Sequence, residues 1–351
     1  MPTPLFYSST IRSADVRPFT LGGNQLSFDL PRESVIEAID IVIEGTVSTA
    51  ASGGGANAAV EGLPALIQQV QVRGSLAGSG EVLPVSSCSG PDLYELAQFQ
   101  RGVLTPLVGS LGATGFFRVV IPVYFRQFFL GDKYTNLRTA LPAFAMSSLS
   151  VNITSATQAQ VDLGGTPTFA ISNANAWIRV HQCYRDSVPQ DFAFIRSFTE
   201  VVEDANIQTQ SPRIQYFPAS NDYALILARS FSAANAKQGD TGTAPFTNGA
   251  NQYINLYDLN RRQKKGTSFL DLRAENLGYT VDPLVNGNAC FVFNRGAESL
   301  FQTGEIMKAQ TSIVAEYNST AATGAKIRWV YQRIEDPNNV LGIARINSVN
   351  A

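Results

Sequence analysis

Charge is scarce in this chain. Only 15% of its 351 residues are Asp, Glu, Lys or Arg, well below the roughly 25% of an average soluble domain. Hydrophobic residues make up 44%, so disorder is excluded as the default state: there is ample apolar surface to bury. Sparse surface charge fits an exterior that neighbouring subunits cover. The net charge is −2, without a basic excess. Tight or sequence-specific binding to nucleic acid is therefore not the expected role. The densest basic run, Arg261-Arg262-Gln263-Lys264-Lys265, reads as a solvated loop.

Chemistry-bearing residues are scarce too. The only histidine is His181, and a zinc site needs a cluster of ligands. A Ser-His-Asp triad would need His181 as its base, and no Gly-x-Ser-x-Gly elbow accompanies it. His181 is therefore expected to be structural. Cys88, Cys183 and Cys290 are odd in number, far apart and free of any Cys-x-x-Cys pattern, which excludes a disulfide framework and fits folding in a reducing cytoplasm. Gly53-Gly54-Gly55 and Gly78-Ser79-Gly80 lack the Gly-Lys-Ser/Thr that a phosphate loop requires. The most apolar stretch, 119–125, is broken by Pro122 and flanked by Arg118 and Arg126, so no membrane-spanning helix is expected. Residues 1–12 lack the apolar core of a secretory leader. Asp92 and Glu95, and Asp271 and Glu275, sit at expected helix starts and read as partners of the helix dipole rather than as acid/base pairs. No catalytic residue, no cofactor site and no metal site is expected, and the chain does not read as an enzyme.

What the sequence holds is alternation. Leu26, Phe28 and Leu30 share one face of a strand, and Ile39, Ile41 and Ile43 share one face of the next. With the turn at Pro31-Arg32-Glu33-Ser34 between them, they read as two antiparallel strands. Further strands are expected at 66–73, 116–125, 149–154 and 177–184, with Pro122 placing the second of these at a sheet edge or bulge. The aromatic segment 116–129 reads as a core strand rather than a stacking surface for nucleic acid. Ser89-Gly90-Pro91-Asp92 opens a short helix that Gly102 would close. The Gly/Ala-rich segment 48–59 reads as a surface loop.

The second half repeats this order. Strands are expected around Ile214 and Tyr216, at 223–227, 253–259, 289–293, 312–317 and 327–334, with a helix at 267–277 and a long polar loop at 233–250. Pro31 matches Pro218, Val70 matches Ile254, the helix start at Pro91 matches Thr267, Val151 matches Val314, and Ile178 matches Ile327. The offset shrinks steadily, so the matched elements keep one order. The closing strands are themselves alike, Ile178-Arg179-Val180-His181-Gln182 against Ile327-Arg328-Trp329-Val330-Tyr331-Gln332. Some eight strands and one helix per copy point to an all-β fold of two tandem eight-stranded jelly rolls, each with a short helix in an inter-strand loop. The expected divisions are an N-terminal arm at 1–20, a first roll at 21–186, a linker at 187–212, a second roll at 213–336 and a C-terminal arm at 337–351.

This plan resembles the double jelly-roll major capsid proteins of tailless icosahedral viruses, especially the small corticovirus- and tectivirus-like versions from bacteria. The segments that carry the resemblance are 27–47 against 215–229, 90–102 against 267–278, and 176–184 against 326–334. The resemblance implies a homotrimer of pseudo-hexagonal outline that tiles an icosahedral shell around the genome. It implies neighbouring trimers, penton or minor capsid proteins and an internal viral membrane or its proteins as partners. The protein would be made in the host cytoplasm and reside in the virion. Leu5, Phe6 and Tyr7 are too few to form a core yet apolar enough to dock, and are expected to be the assembly contact of the N-terminal arm. The competing expectation is a carbohydrate-binding, adhesion or spike protein, since jelly rolls also make lectins. The absence of an acidic calcium cluster and the presence of only two tryptophans, Trp177 and Trp329, weaken it.

Overall fold

The computed structural model describes residues 8–12, 15–49, 62–76, 80–101, 107–111, 114–126, 137–162, 169–188, 192–207, 213–218, 221–231, 253–258, 263–278, 280, 287–293, 313–318, 325–335 and 341–342. Alternating sequence becomes strand throughout. The first half holds β1 (Ser8–Arg12), β2 (Arg17–Pro18), β3 (Gln25–Asp29), β4 (Ser34–Thr49), β5 (Ile67–Leu76), β6 (Gly80–Cys88), β7 (Gly115–Tyr124), β8 (Met146–Ser155) and β9 (Phe169–Tyr184). Helix α1 (Gly90–Arg101) lies between β6 and β7. After β10 (Ala193–Phe194), the second half holds β11 (Ser197–Ile207), β12 (Arg213–Tyr216), β13 (Asn221–Phe231), β14 (Tyr253–Asp258), β15 (Gln263–Ser268), β16 (Asn288–Val292), β17 (Ile313–Tyr317) and β18 (Ala325–Glu335). Helix α2 (Phe269–Asn276) follows β15, and β19 (Leu341–Gly342) pairs with β10.

Sheet order reveals the duplication. In the first half one sheet runs β1-β9-β4-β7 and the facing one β6-β5-β8-β3. In the second half the orders are β11-β18-β13-β16 and β15-β14-β17-β12. The two lists are the same list. β1, β3, β4, β5, β6, β7, β8 and β9 correspond in turn to β11, β12, β13, β14, β15, β16, β17 and β18, and α1 corresponds to α2. Val70 and Ile254, Val151 and Val314, and Ile178 and Ile327, matched from sequence, fall on equivalent strands; Pro31 and Pro218 lie in the equivalent turns, while Thr267, matched to the helix residue Pro91, lies at the end of β15 just before α2. Both halves are therefore eight-stranded jelly rolls, with α1 and α2 at equivalent places and a further single-turn helix at Gln158–Val161 in the first half.

The rolls share more than a connection. β6, at the edge of the first roll, meets β11 of the second in a parallel pairing at Thr199 and Val85. The sheet β16-β13-β18-β11 thereby runs on into β6-β5-β8-β3 as eight strands.

The apolar periodicity of β4 survives two bulges, where pairing with β9 shifts between Ile36 and Ala38 and between Glu44 and Thr46. The first bulge keeps Ile36, Ile39, Ile41 and Ile43 all in the core. At the second, a Cβ on Gly45 would lie 2.7 Å from the Ala174 side chain, so only glycine permits that approach. Pro122 lies on β7, the edge strand of its sheet, where a missing N–H costs least.

Several sequence expectations differ from the fold. β3 and β4 are not paired with each other: β3 pairs β8, while β4 pairs β9 and β7. The turn at Pro31 carries the chain across the sandwich instead of folding it back in one sheet. Ser8–Arg12, expected within an arm, forms β1 and pairs with β9 of the same chain. Ser197–Ile207, expected within the linker, forms β11. Its acidic residues resemble a linker, yet they face cations across strands: Glu200 meets Arg333 at 2.8 Å, Glu203 meets Lys326 at 3.2 Å, and Asp204 meets Arg213 at 2.6 Å. Gln263, Lys264 and Lys265, read as loop, belong to β15. Ser48 and Thr49, read as the start of a loop over 48–59, end β4; the rest of that segment and the loop expected at 233–250 lie outside the described residues.

Candidate assembly surfaces

A buried polar cluster joins the two rolls. α1 opens on Ser89, whose backbone N–H donates to Asp92 Oδ2 at 2.7 Å, while the Asp92 N–H donates to Ser89 Oγ at 3.3 Å. This reciprocal cap satisfies the first donors of the helix. Asp92 also reaches beyond its own roll. It accepts from Arg229 of β13, and it pairs with Arg328 of β18 at 2.8 Å. One turn on, Glu95 accepts from Asn288 of β16 at 2.8 Å, and Gln100 donates to Gln332 of β18 at 2.8 Å. α1 thus lies across the outer face of the second roll's sheet. Asp92 is 0% and Arg229 1% exposed. Burial pushes the Asp92 carboxyl up, but the charges of Arg328 and Arg229 and the Ser89 N–H outweigh it and bring it down to about 2. Its charge is the state the seam requires.

The same outer face on the first roll is differently furnished. By strand correspondence Arg179 stands where Arg328 stands, and Asp40 where Arg229 stands. Asp40 is 5% exposed. It accepts from Arg179 Nε at 2.7 Å and bonds His181 Nε2 at 2.7 Å. Burial raises its carboxyl, and the bonds and charges of His181 and Arg179 more than reverse this, so it stays below the usual carboxylate range. The other ring nitrogen of His181 lies 3.1 Å from Thr10 Oγ1 on β1. His181 therefore ties β1, β9 and β4 together. Beside it, Arg12 lies over the Trp177 ring at 4.4 Å and Arg118 at 5.8 Å.

Large apolar side chains stay exposed outside the seam: Phe116 at 55%, Tyr184 at 50% and Tyr216 at 59%, with Leu270 and Leu277 of the α2 region at 41% and 61%. An apolar cleft opens where the rolls meet, lined by Leu76, Val82, Phe125, Met146, Phe194 and Phe198. Leu5, Phe6 and Tyr7 lie outside the described residues. Asp92 and Glu95, expected as dipole partners, are also the acids that bind the second roll. The sequence signal for this was Arg229, a cation closing the apolar run 223–228. Among the described residues there is no group of three or more His, Cys, Asp or Glu placed to hold a metal ion. All three cysteines are buried outside any disulfide.

No model of a known protein family matches the sequence, and no curated protein does. Solved structures do match. The major capsid protein of Sulfolobus Turreted Icosahedral Virus superposes with a TM-score of 0.65 at 16% identity, over 94% of this chain and 97% of that one. The major capsid protein P2 of bacteriophage PM2 gives 0.55 at 14% identity, over 95% and 99%. A capsid structure of the virus PBCV-1 gives 0.55 at 13% identity, over 96% of each chain. Identities this low speak for the fold, and the fold of this chain is the double jelly roll of viral major capsid proteins.

Proposed function

We propose that this chain is the major capsid protein of an icosahedral virus and that it builds the shell as homotrimers. The observation that carries the reading is the internal duplication. Two equivalent rolls in one chain give a ring of three chains six comparable sides, so a threefold unit tiles a hexagonal lattice. The apolar side chains left exposed at strand edges and on α2 supply surface for such contacts. Low charge reduces the desolvation cost of burying it. Obligate interfaces of this kind bury more than about 2,000 Å², and contacts between trimers are smaller and more polar.

In this reading the partners are further copies, the minor proteins at the vertices and an internal membrane layer. The segment Leu5-Phe6-Tyr7 docks on a neighbouring chain or on that inner layer. Sedimentation of the purified protein, followed by electron microscopy, tests the proposal. A stable trimer that forms shells or hexagonal sheets supports it. A monomer at every concentration refutes it. For the arm, the informative deletion is Met1 to Tyr7. Removing residues through Arg12 would also strip β1 from β9 and confound folding with assembly. Trimers that persist without forming shells are expected; normal shells from the shortened chain would remove the arm's role.

A further inference from the structure

Three neighbouring strands place a hydroxyl, an imidazole and a carboxylate in line on the outer face of the first roll. Thr10 of β1 and His181 of β9 are direct partners in the antiparallel register, so their side chains leave the sheet on the same face. Asp40 comes from β4, on the other side of β9. Asp40 Oδ2 lies 2.7 Å from His181 Nε2, and His181 Nδ1 lies 3.1 Å from Thr10 Oγ1. Exposure increases along the line. The Asp40 side chain is 8% exposed and that of His181 36%, while Thr10 is exposed. The acid is thus inside and the hydroxyl faces solvent.

The bonds decide where the protons sit. Arg179 donates to the same Asp40 oxygen at 2.7 Å, and the carboxyl stays below its usual range despite its burial. An ionised carboxylate only accepts, so the bond to Asp40 puts the ring proton of His181 on Nε2. Nδ1 then carries the lone pair, and the Thr10 hydroxyl donates to it. A hydroxyl bonded to a base that a buried acid orients is an activated nucleophile. Strand pairing alone does not call for the imidazole. In the second roll the equivalent partners across β11 and β18 are Thr199 and Gln332, and Gln332 bonds Gln100 in the seam. Both rolls keep the threonine, and the first alone sets a base beside it.

We propose that Thr10 is an acyl-acceptor site, modified by activated esters, with His181 as its general base and Asp40 as the residue that positions the base. Thr10 Oγ1 bonds to the carbonyl carbon of the ester as its proton passes to His181 Nδ1. The tetrahedral adduct then expels the leaving group, which departs with that proton, and the acyl group stays on Thr10 as a new ester. On an open strand face, solvent rather than fixed donors meets the charge that builds on the acyl oxygen. The reagents it suits are therefore acyl donors with good leaving groups, aryl esters and thioesters. The product is a modified chain, not a released acid.

The probe is p-nitrophenyl acetate, followed by release of nitrophenol and by peptide mass spectrometry. The wild-type chain should give a burst of nitrophenol and carry the acetyl group on Thr10. Thr10→Ser should keep the labelling and Thr10→Val should abolish it. His181→Gln retains a donor for Asp40 but lacks the base, and should slow acetylation of Thr10 at least about 100-fold. Nitrogen NMR of the His181 ring tests the positioning role of Asp40. The proton is expected on Nε2 in the wild type and shared with Nδ1 in Asp40→Asn, together with slower acetylation. Acetylation that bypasses Thr10, or that reaches it at the same rate in His181→Gln, would overturn the proposal. So would a wild-type ring with its proton on Nδ1 and none on Nε2. Each of these results leaves the capsid reading standing.

Discussion

Asp92→Asn isolates the charge on which the seam depends. The amide keeps the shape and most of the cap, and removes one negative charge from between Arg229 and Arg328. The carboxyl titrates at about 2 in the folded protein against an ordinary value of 3.8. At about 1.4 kcal/mol per pKa unit, the ionised form contributes on the order of 2 kcal/mol. The variant also leaves Arg229, 1% exposed, without its nearest counter-charge, which raises the expected cost to about 3–5 kcal/mol. At roughly 2.1 cal/mol/K per residue, this corresponds to a fall in Tm of about 4–7 °C for a chain of 351 residues. The sign with pH is set by the lowered pKa. The contribution is complete above the unfolded value near 4 and disappears as pH falls through about 2. Calorimetry of both proteins from neutral pH down to the lowest pH at which both stay folded should show a constant gap that narrows only at the acid end. A gap below 1 °C at pH 7, or one of undiminished size near pH 2, would refute the account of the seam.

Gly90→Ala should cost more than about 2 kcal/mol in urea unfolding, because its Cβ would sit 2.2 Å from the Pro64 carbonyl oxygen, a backbone atom with no room to yield; a neutral result would mean that α1 starts elsewhere. Trp329→Ala should lose about 3–5 kcal/mol, since the indole is fully buried against Phe217 and Tyr317, and a stability within 1 kcal/mol of wild type would contradict that packing. His181→Ala should cost only about 1 kcal/mol and leave trimers intact by sedimentation, its bonds to Asp40 and Thr10 being partly exposed; loss of assembly in that variant would assign His181 a role its geometry does not suggest.

Much of the fold was legible because period-two alternation survives wherever one face of a strand is buried. Ile39, Ile41 and Ile43 are core residues, and so are Phe117, Val119, Ile121, Val123 and Phe125. The helix at Gly90 announced itself through its cap. The order of elements was enough to expose the duplication. What escaped were strands whose residues serve tertiary pairing rather than a core. β11 carries Glu200, Glu203 and Asp204, which local reading takes for a linker, because their cations arrive from 9 to 133 residues away along the chain. β6 is interrupted by Pro84 and carries Ser87 at a φ of 57°. The facing of β3 and β4 was also hidden, since alternation tells which residues point inward but not which strand lies beside which. The two tryptophans show the same limit. They lie on the equivalent strands β9 and β18, yet Trp329 fills the core while Trp177 packs on the outer face beneath Arg12. The seam was missed although Arg229 closes an apolar run, because nothing local to Asp92 reveals that Arg229 and Arg328 will meet it.

The pairing of β6 with β11 has a consequence for how the protein can be made. β6 is complete as soon as residue 88 leaves the ribosome, while its neighbour begins at residue 197. Through the synthesis of some hundred residues the nascent first roll presents a bare strand edge, and beside it a helix whose acids have no cations. Unpaired edges are where chains stick to one another. The first roll is therefore expected to need the second to cover this edge. A fragment ending near Ser187 should aggregate, and conditions that slow translation between the halves should lower the yield of soluble protein more than any substitution on the outer surface.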